Sequence, residues 1–462
     1  MKKHLNSNEL KREIGLFSAV VLVVANMIGT GIFTTSGFIM AELGNPVALL
    51  LCWVLGGIFA LSGALCYGEL GSAFPHAGGE YVYLREAFGR LTAFLSGWIS
   101  LIVGFSAPIA AAAIAFATYA SDILPLSADF KYTLTLAQIN ILTISPITIL
   151  AICAVIALSL VHYHSLRAGS RVQNALTIFK ISVIVLFIAA GFFFGQGSIA
   201  HFKGDFSWAS LFQGKVAVSL IFVSFAYSGW NAAAYMGSEI KNPARNIPVA
   251  LFTGTLIVLV LYLLLNVLYI YALGANQMSG VLEVGAKSAA YLFGSYIGKY
   301  FSTAIAIGIL SALSAMILTG PRVYYAMSKD RVFFKIFGRV NASYSTPAFS
   351  IFLQAAIAIV MILTLSFDKL LLYIGFTLSL FSLLTVLGLV TLRLEKKAPI
   401  AAYKTFGYPL TPIIFIAGNL WIVCFSLFSK PITSIFGLIT IGLGVLVYFC
   451  FSRKKRSRQS DR

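Results

Sequence analysis

Two short runs in this chain carry residues that suit backbone chemistry and sit oddly in apolar sequence. The first is Ala25-Asn26-Met27-Ile28-Gly29-Thr30-Gly31-Ile32-Phe33 and the second is Phe225-Ala226-Tyr227-Ser228-Gly229-Trp230-Asn231. Glycine costs a helix interior about 1 kcal/mol relative to alanine, so two glycines flanking a threonine make unwinding cheap. Unwinding at Gly29, Thr30 and Gly31 frees backbone N–H groups at the start of a second half-helix, where the positive end of its dipole also lies. That end suits a carboxylate, with the Thr30 hydroxyl as a further donor. Carbonyls left unpaired near Met27 and Ile28, and near Phe225, Ala226 and Ser228, suit an ammonium group. A zwitterion with both groups on one carbon matches the two ends and needs no charged side chain. A glycine packing contact or a simple kink is the plainer alternative.

Lys180 is the sharpest single residue. It lies in Phe179-Lys180-Ile181 with apolar sequence on both sides, and a charge at mid-membrane costs at least ~2.5 kcal/mol. Snorkelling is the alternative, but the nine residues to Arg171 span about 13 Å at 1.5 Å each, which makes the reach to the surface difficult. Its ammonium is expected beside the first break, bonding carbonyls freed near Gly29. Glu69 and Glu239 are placed at span ends, as a gate or as static ion pairs. Trp230 serves as a pocket wall, a gate or ordinary packing. Ser311 and Ser314 are weak candidates, because serine in membrane helices usually bonds its own backbone. His162 and His164 are expected at an interface, and Pro108 is expected to kink its helix.

The elements that position these residues follow from composition. The chain has 462 residues, 59% hydrophobic and 10% charged, against roughly 25% charged in a soluble domain. About twelve apolar segments are predicted as membrane helices, near 16–40, 47–72, 91–120, 144–163, 171–195, 214–238, 248–273, 289–327, 348–366, 369–393, 409–429 and 432–452. Strand-like alternation is absent, which argues against a barrel. The first segment is too long for a signal peptide and has no small-residue cleavage site. Along the second, Gly56, Ala60, Ala64, Gly68 and Ser72 form a small-residue stripe for close helix packing.

The net charge of +18 is not a nucleic-acid signature. Of the 33 Lys and Arg, 25 fall in loops on the side of the amino terminus and 7 on the other, with Lys180 inside a span. That asymmetry puts both termini in the cytoplasm, and the basic tail reads as an anchor that meets membrane lipid. The five cysteines lie in or at the ends of apolar spans without metal-ligand spacing, so neither a disulfide framework nor a metal is expected. No cofactor motif is present, and the spans lack the paired acids or nucleophile–base sets of an intramembrane enzyme.

Further motifs join these. Met27-Ile28-Gly29-Thr30-Gly31-Ile32-Phe33 resembles the first-helix signature of the amino acid–polyamine–organocation (APC) superfamily. Gly78-Gly79-Glu80-Tyr81-Val82-Tyr83 through Gly89 is similar to the loop between helices 2 and 3 of its L-type branch. Phe225–Asn231 with Glu239-Ile240-Lys241-Asn242-Pro243, Arg322–Asp330 and Tyr403–Pro409 extend the likeness over most of the chain.

The resemblance implies an all-α, LeuT-like fold of about 12 transmembrane helices. Two inverted five-helix repeats would occupy 16–195 and 196–394, helices 11 and 12 would occupy 395–452, and cytoplasmic tails 1–15 and 453–462. It implies secondary transport of amino acids by alternating access, as an exchanger or a proton-coupled symporter. The substrate carboxylate would meet Gly29, Thr30 and Gly31, and the amine the carbonyls of Met27, Phe225 and Ser228. Lys180 would stand where LeuT-type relatives bind sodium. Many relatives carry glycine where this chain has Ser228, which bears on side-chain preference. Relatives that pair with a glycoprotein use a cysteine in the loop after helix 3. The segment 122–145 has none, so no disulfide-linked partner and a bacterial inner membrane are expected. An amino-acid receptor without flux is the alternative function; such proteins add a long tail or soluble domain.

Overall fold

The computed structural model describes residues 10–121, 130–136, 139–204, 207–208, 214–341, 344, 346–364, 367–396, 401–429 and 431–460. Most of the amino-terminal tail, parts of the connection 122–145 and the side chains of the basic tail lie outside the described residues. The helices are α1 (Leu16–Met27), α2 (Gly31–Leu43), α3 (Pro46–Ala73), α4 (Glu80–Phe88), α5 (Arg90–Ile99), α6 (Ala107–Ser121), α7 (Pro146–His164), α8 (Leu166–Phe194), α9 (Gly214–Tyr227), α10 (Ala232–Tyr235), α11 (Pro243–Met278), α12 (Val284–Phe293), α13 (Ser295–Thr319), α14 (Pro321–Lys329), α15 (Ala348–Thr364), α16 (Phe367–Leu394), α17 (Leu410–Ser429) and α18 (Pro431–Ser460). Among the described residues nine helical stretches are long and apolar enough to cross a membrane. Three shorter apolar helices, Gly214–Tyr227, Ala348–Thr364 and Ser434–Cys450, fall on the remaining predicted segments. The chain is an integral, multi-pass membrane protein.

Local chemistry sets several helix starts. Asn45 Oδ1 accepts from the N–H groups of Val47 (2.9 Å) and Ala48 (3.0 Å) ahead of Pro46, which opens α3. Ser145 and Thr148 form a capping box on α7, again with proline in first place. Between α5 and α6 the chain makes a π-helical stretch, Ser100–Ser106, just before Pro108. Pro108 has no N–H to give the carbonyl one turn earlier, so the predicted kink takes the form of a widened turn.

The small-residue stripe of α3 is an interface. A Cβ on Gly68 would stand 3.2 Å from Pro248 Cα on α11, and one on Gly57 would stand 2.5 Å from a Leu259 methyl. Gly56 faces Val223 and Tyr227 of α9. Added side chains would crowd Pro248 Cα and the side chains of Val223 and Leu259, so small residues here let the helices approach closely.

The described residues are mostly helical, consistent with the all-α expectation, with one addition: β1 (Tyr132–Leu136) and β2 (Ile139–Ile144) form an antiparallel hairpin within the connection after α6. Thr and Leu alternate there, a period-2 pattern too short to stand out beside the apolar spans. The connection before α5 is also no simple loop, since it contains α4, whose first five residues are buried.

Glu69 binds Arg393 through paired contacts at 2.8 and 2.5 Å, and its Oε2 accepts from both the N–H and the hydroxyl of Thr405 at 2.7 Å. The Arg393 guanidinium also lies 3.8 Å over the Tyr408 ring. This joins α3, α16 and the segment before α17. Arg393→Ala should lower stability by about 2 kcal/mol, less than for a fully buried pair because Arg393 is partly exposed. The melting temperature in detergent reports the loss, and adding Glu69→Gln should restore part of it by removing the stranded charge.

Candidate functional site

The two breaks are real and touch. Residues 28–30 separate α1 from α2, and 228–231 separate α9 from α10. A Cβ on Gly31 would lie 2.6 Å from Ala226 Cα and 2.8 Å from Ala226 Cβ. A Cβ on Gly229, whose φ of 93° already favours glycine, would lie 2.9 Å from the Asn26 carbonyl carbon and oxygen. Each break therefore sends a glycine against the backbone of the other. Gly29 is different: its Cβ would meet only Ala312 Cβ at 3.7 Å, an ordinary contact.

The donors are arranged as helix starts require. Gly31 is the first residue of α2, so the N–H groups of Thr30, Gly31 and Ile32 have no carbonyl one turn back. The Thr30 carbonyl accepts from Phe33 N–H at 3.1 Å and Thr34 Oγ1 at 3.0 Å. The N–H of Gly29 is spent, because it donates to the Met27 carbonyl at 2.9 Å.

The acceptors depart from the sequence expectation. Carbonyls expected to stand free are engaged. Tyr262 of α11 places its hydroxyl 2.7 Å from the Met27 carbonyl and 3.0 Å from that of Ala226, bridging the breaks. Lys180 Nζ donates to the carbonyls of Ala25 (3.2 Å) and Ile28. Its stem packs on Gly308 of α13, where a Cβ would meet Lys180 Cγ at 3.2 Å. Lys180 is 2% exposed, which removes snorkelling. The Phe225 carbonyl accepts from Ser228 N–H at 3.0 Å.

A cavity of about 100 Å³ opens beside the second break. Ser228 and Trp230 line it, with Asn26, Asn231, Glu80 and Ser382. Met27 to Gly31, Phe225 and Ala226 do not. Trp230 stands edge-on to Tyr67 at 4.6 Å and to Phe415 at 5.7 Å, and its ring fills the space that Gly63 leaves open.

Glu239 lies away from the breaks. It is buried with Arg322 of α14, whose Nη2 reaches both carboxylate oxygens at 2.9 and 3.0 Å. The Glu239 backbone also accepts from Ile14 N–H at 2.9 Å, and Lys241 N–H returns a bond to the Ile14 carbonyl at 2.8 Å. Two weaker expectations change. His162 is not interfacial; it is 1% exposed and its Nε2 meets Ser314 Oγ at 2.8 Å. Ser311 likewise bonds Thr177 of α8 at 2.9 Å rather than its own backbone. Small residues on α13 let both neighbours come close. Among the described residues no group of His, Cys, Asp and Glu could hold a metal.

Tyr262, Asn26 and Glu80 were not singled out from the sequence. Tyrosine in an apolar span carries no signal of its own. Asn26 lies beside the first break, and Glu80 lies within Gly78–Gly89.

The family model described as amino acid permease matches residues 14–450. The chain belongs to that family. It is an APC-superfamily permease near the L-type branch, a transporter and not an enzyme. A serine/threonine exchanger, SteT, of Bacillus subtilis (strain 168) is 31% identical over 459 residues, covering 98% of this permease and 100% of the exchanger. The b(0,+)-type amino acid transporter 1 of Mus musculus is 29% identical over 457 residues, covering 97% and 89% of the two chains. The large neutral amino acids transporter small subunit 2 of Mus musculus is 29% identical over 454 residues, covering 95% and 81%.

The two glycines of the first break should respond differently to one methyl group. Gly31→Ala in the permease pushes into Ala226 backbone and should cost about 1–3 kcal/mol. Gly29→Ala has room and should leave the melting temperature within about 2 °C of the parent, the size of change expected from a few tenths of a kcal/mol. Equal destabilisation by both would contradict the contact geometry.

Proposed function

We propose that this permease moves small polar, neutral amino acids across a bacterial cytoplasmic membrane by alternating access, as an exchanger. The observation that carries this is the contact of the two breaks, Gly31 on Ala226 and Gly229 on Asn26, which sets the donors of Thr30 to Ile32 beside the carbonyls of the second break. A substrate carboxylate would take the N–H groups of Thr30 and Gly31, with Gly29 bordering it. The ammonium would take carbonyls of Met27, Phe225 and Ser228, with Ile28 and Ala226 nearby. The Tyr262 hydroxyl bridges the Met27 and Ala226 carbonyls, so it would share or yield the Met27 carbonyl to an ammonium group. Ser228, with Trp230 on the cavity wall, would face the substrate side chain. A hydroxyl there suits a small polar group, in keeping with the serine/threonine exchanger among the relatives.

The breaks interrupt the first and sixth apolar segments. This supports two inverted five-helix repeats, 16–195 and 196–394, followed by helices 11 and 12 in 395–452. The Lys and Arg distribution supports cytoplasmic tails at 1–15 and 453–462. With that orientation, Glu239 and Arg322 form part of an inner gate. Lys180 supplies a fixed cation at the first break in place of a bound one. The lack of cysteine in 122–145 supports function without a disulfide-linked partner.

In liposomes, radiolabelled serine should enter only when amino acid is present inside, and an imposed pH gradient should not replace it. Binding without flux would leave a receptor instead, and accumulation driven by the pH gradient alone would make the protein a symporter. Lys180→Met should lower exchange roughly tenfold or more, as expected for losing a charge-assisted bond of about 1.5–3 kcal/mol at the break. Unchanged flux would remove Lys180 from the mechanism.

A further inference from the structure

One wall of the cavity beside Trp230 has no task in zwitterion binding at the breaks. Glu80, the first residue of α4, is 3% exposed. Three donors converge on a single oxygen, Oε1: the Tyr67 hydroxyl at 2.6 Å, Asn231 Nδ2 at 2.9 Å and Ser382 Oγ at 3.2 Å. They come from α3, from the second break and from α16, and all are neutral. The other ionisable groups near it are phenols, Tyr83 on its own helix and Tyr235 on α10. Arg85 of the same helix binds Glu86 and Asp330 instead. Among the described residues no Lys or Arg pairs with Glu80, and Oε2 receives no protein donor. A buried carboxylate without a cation is electrostatically incomplete. The cavity has a second unfilled valence. Among the described residues Asn26 Nδ2 on its wall has no partner although it is buried, which is costly for a polar group.

We propose that Glu80 is a second recognition point for the substrate ammonium group, reached through this cavity beside the second break. The site takes any α-amino acid small enough for the cavity, with Asn26 Nδ2 donating to its carboxylate or hydroxyl. It rests on the transporter reading and adds a station to it. Ammonium binding needs the ionised carboxylate, so where the carboxyl is protonated the arriving ammonium displaces that proton to water. Burial raises the Glu80 carboxyl above its usual range, while the bonds from Tyr67, Ser382 and Asn231 draw it back. A raised carboxyl is protonated over a wider acidic range. Affinity is therefore full at high pH and falls as pH drops, approaching about tenfold per unit below the carboxyl's own midpoint.

The test is L-serine affinity of the purified full-length protein, by calorimetry between about pH 5 and 8, where the serine amine stays charged. The parent should weaken steadily toward acid. Glu80→Gln should bind more weakly at pH 8 and show no slope. Ser382→Ala removes a donor from the ionised form and should move the midpoint upward, which keeps the question open to test if Glu80→Gln does not fold. Glyceric acid, which lacks the ammonium, should show no Glu80-dependent slope. The same slope in Glu80→Gln, or an unmoved midpoint in Ser382→Ala, overturns the proposal. Serine exchange with pH-independent affinity overturns this station alone and leaves the transporter standing. Absence of both serine binding and flux at every pH removes both.

Discussion

Everything polar at the centre of this protein depends on two backbones meeting with no side chain between them. Gly31 rests on Ala226, and Gly229 rests on Asn26. A methyl group at Gly31 would hold the breaks apart by a good fraction of an ångström. That distance separates a shared site from two unrelated kinks. The contact also explains why the interrupted backbone survives among apolar helices. Unpaired N–H and C=O groups in hydrocarbon cost several kcal/mol each. Here Tyr262 spans one carbonyl from each break, and Lys180 takes two carbonyls of the first.

The sequence made the breaks legible because glycine beside threonine or serine interrupts long apolar runs at matching places. It made Lys180 legible because an isolated charge in such a run has few explanations. Both signals are local. What the sequence could not carry was pairing over distance. Tyr262 lies 235 residues from Met27, and nothing about a tyrosine in an apolar helix says which carbonyl it will find. His162 was misplaced for a related reason. At a helix end a histidine reads as interfacial, yet Ser314 and the small residues of α13 draw it fully inside. The hairpin after α6 escaped notice because a few alternating Thr and Leu residues are a faint signal in a chain that is 59% hydrophobic.

Charges are handled in three ways. Glu69 and Arg393 meet at a partly wet edge with Thr405 satisfying the remaining lone pair. Glu239 and Arg322 are sealed together. Among the described residues Lys180 and Glu80 are buried without a counter-charge, bonded by neutral dipoles, and each lies beside a break or the cavity next to it. Pairs hold the frame, while the uncompensated groups sit where a charged molecule could complete them.

The strand-like bridge between Ile14 and Ile240 bears on how such a frame can move. Glu239 joins it twice, accepting from Ile14 through its backbone and from Arg322 through its side chain. Swinging α1 outward pulls on the same residue that anchors α14. Parting Glu239 from Arg322 without new partners would leave a carboxylate and a guanidinium buried and unpaired, which is costly. Through Glu239 the carboxyl-terminal side of the second break is thus tied both to the segment before α1 and to α14, so the three cannot shift independently of one another.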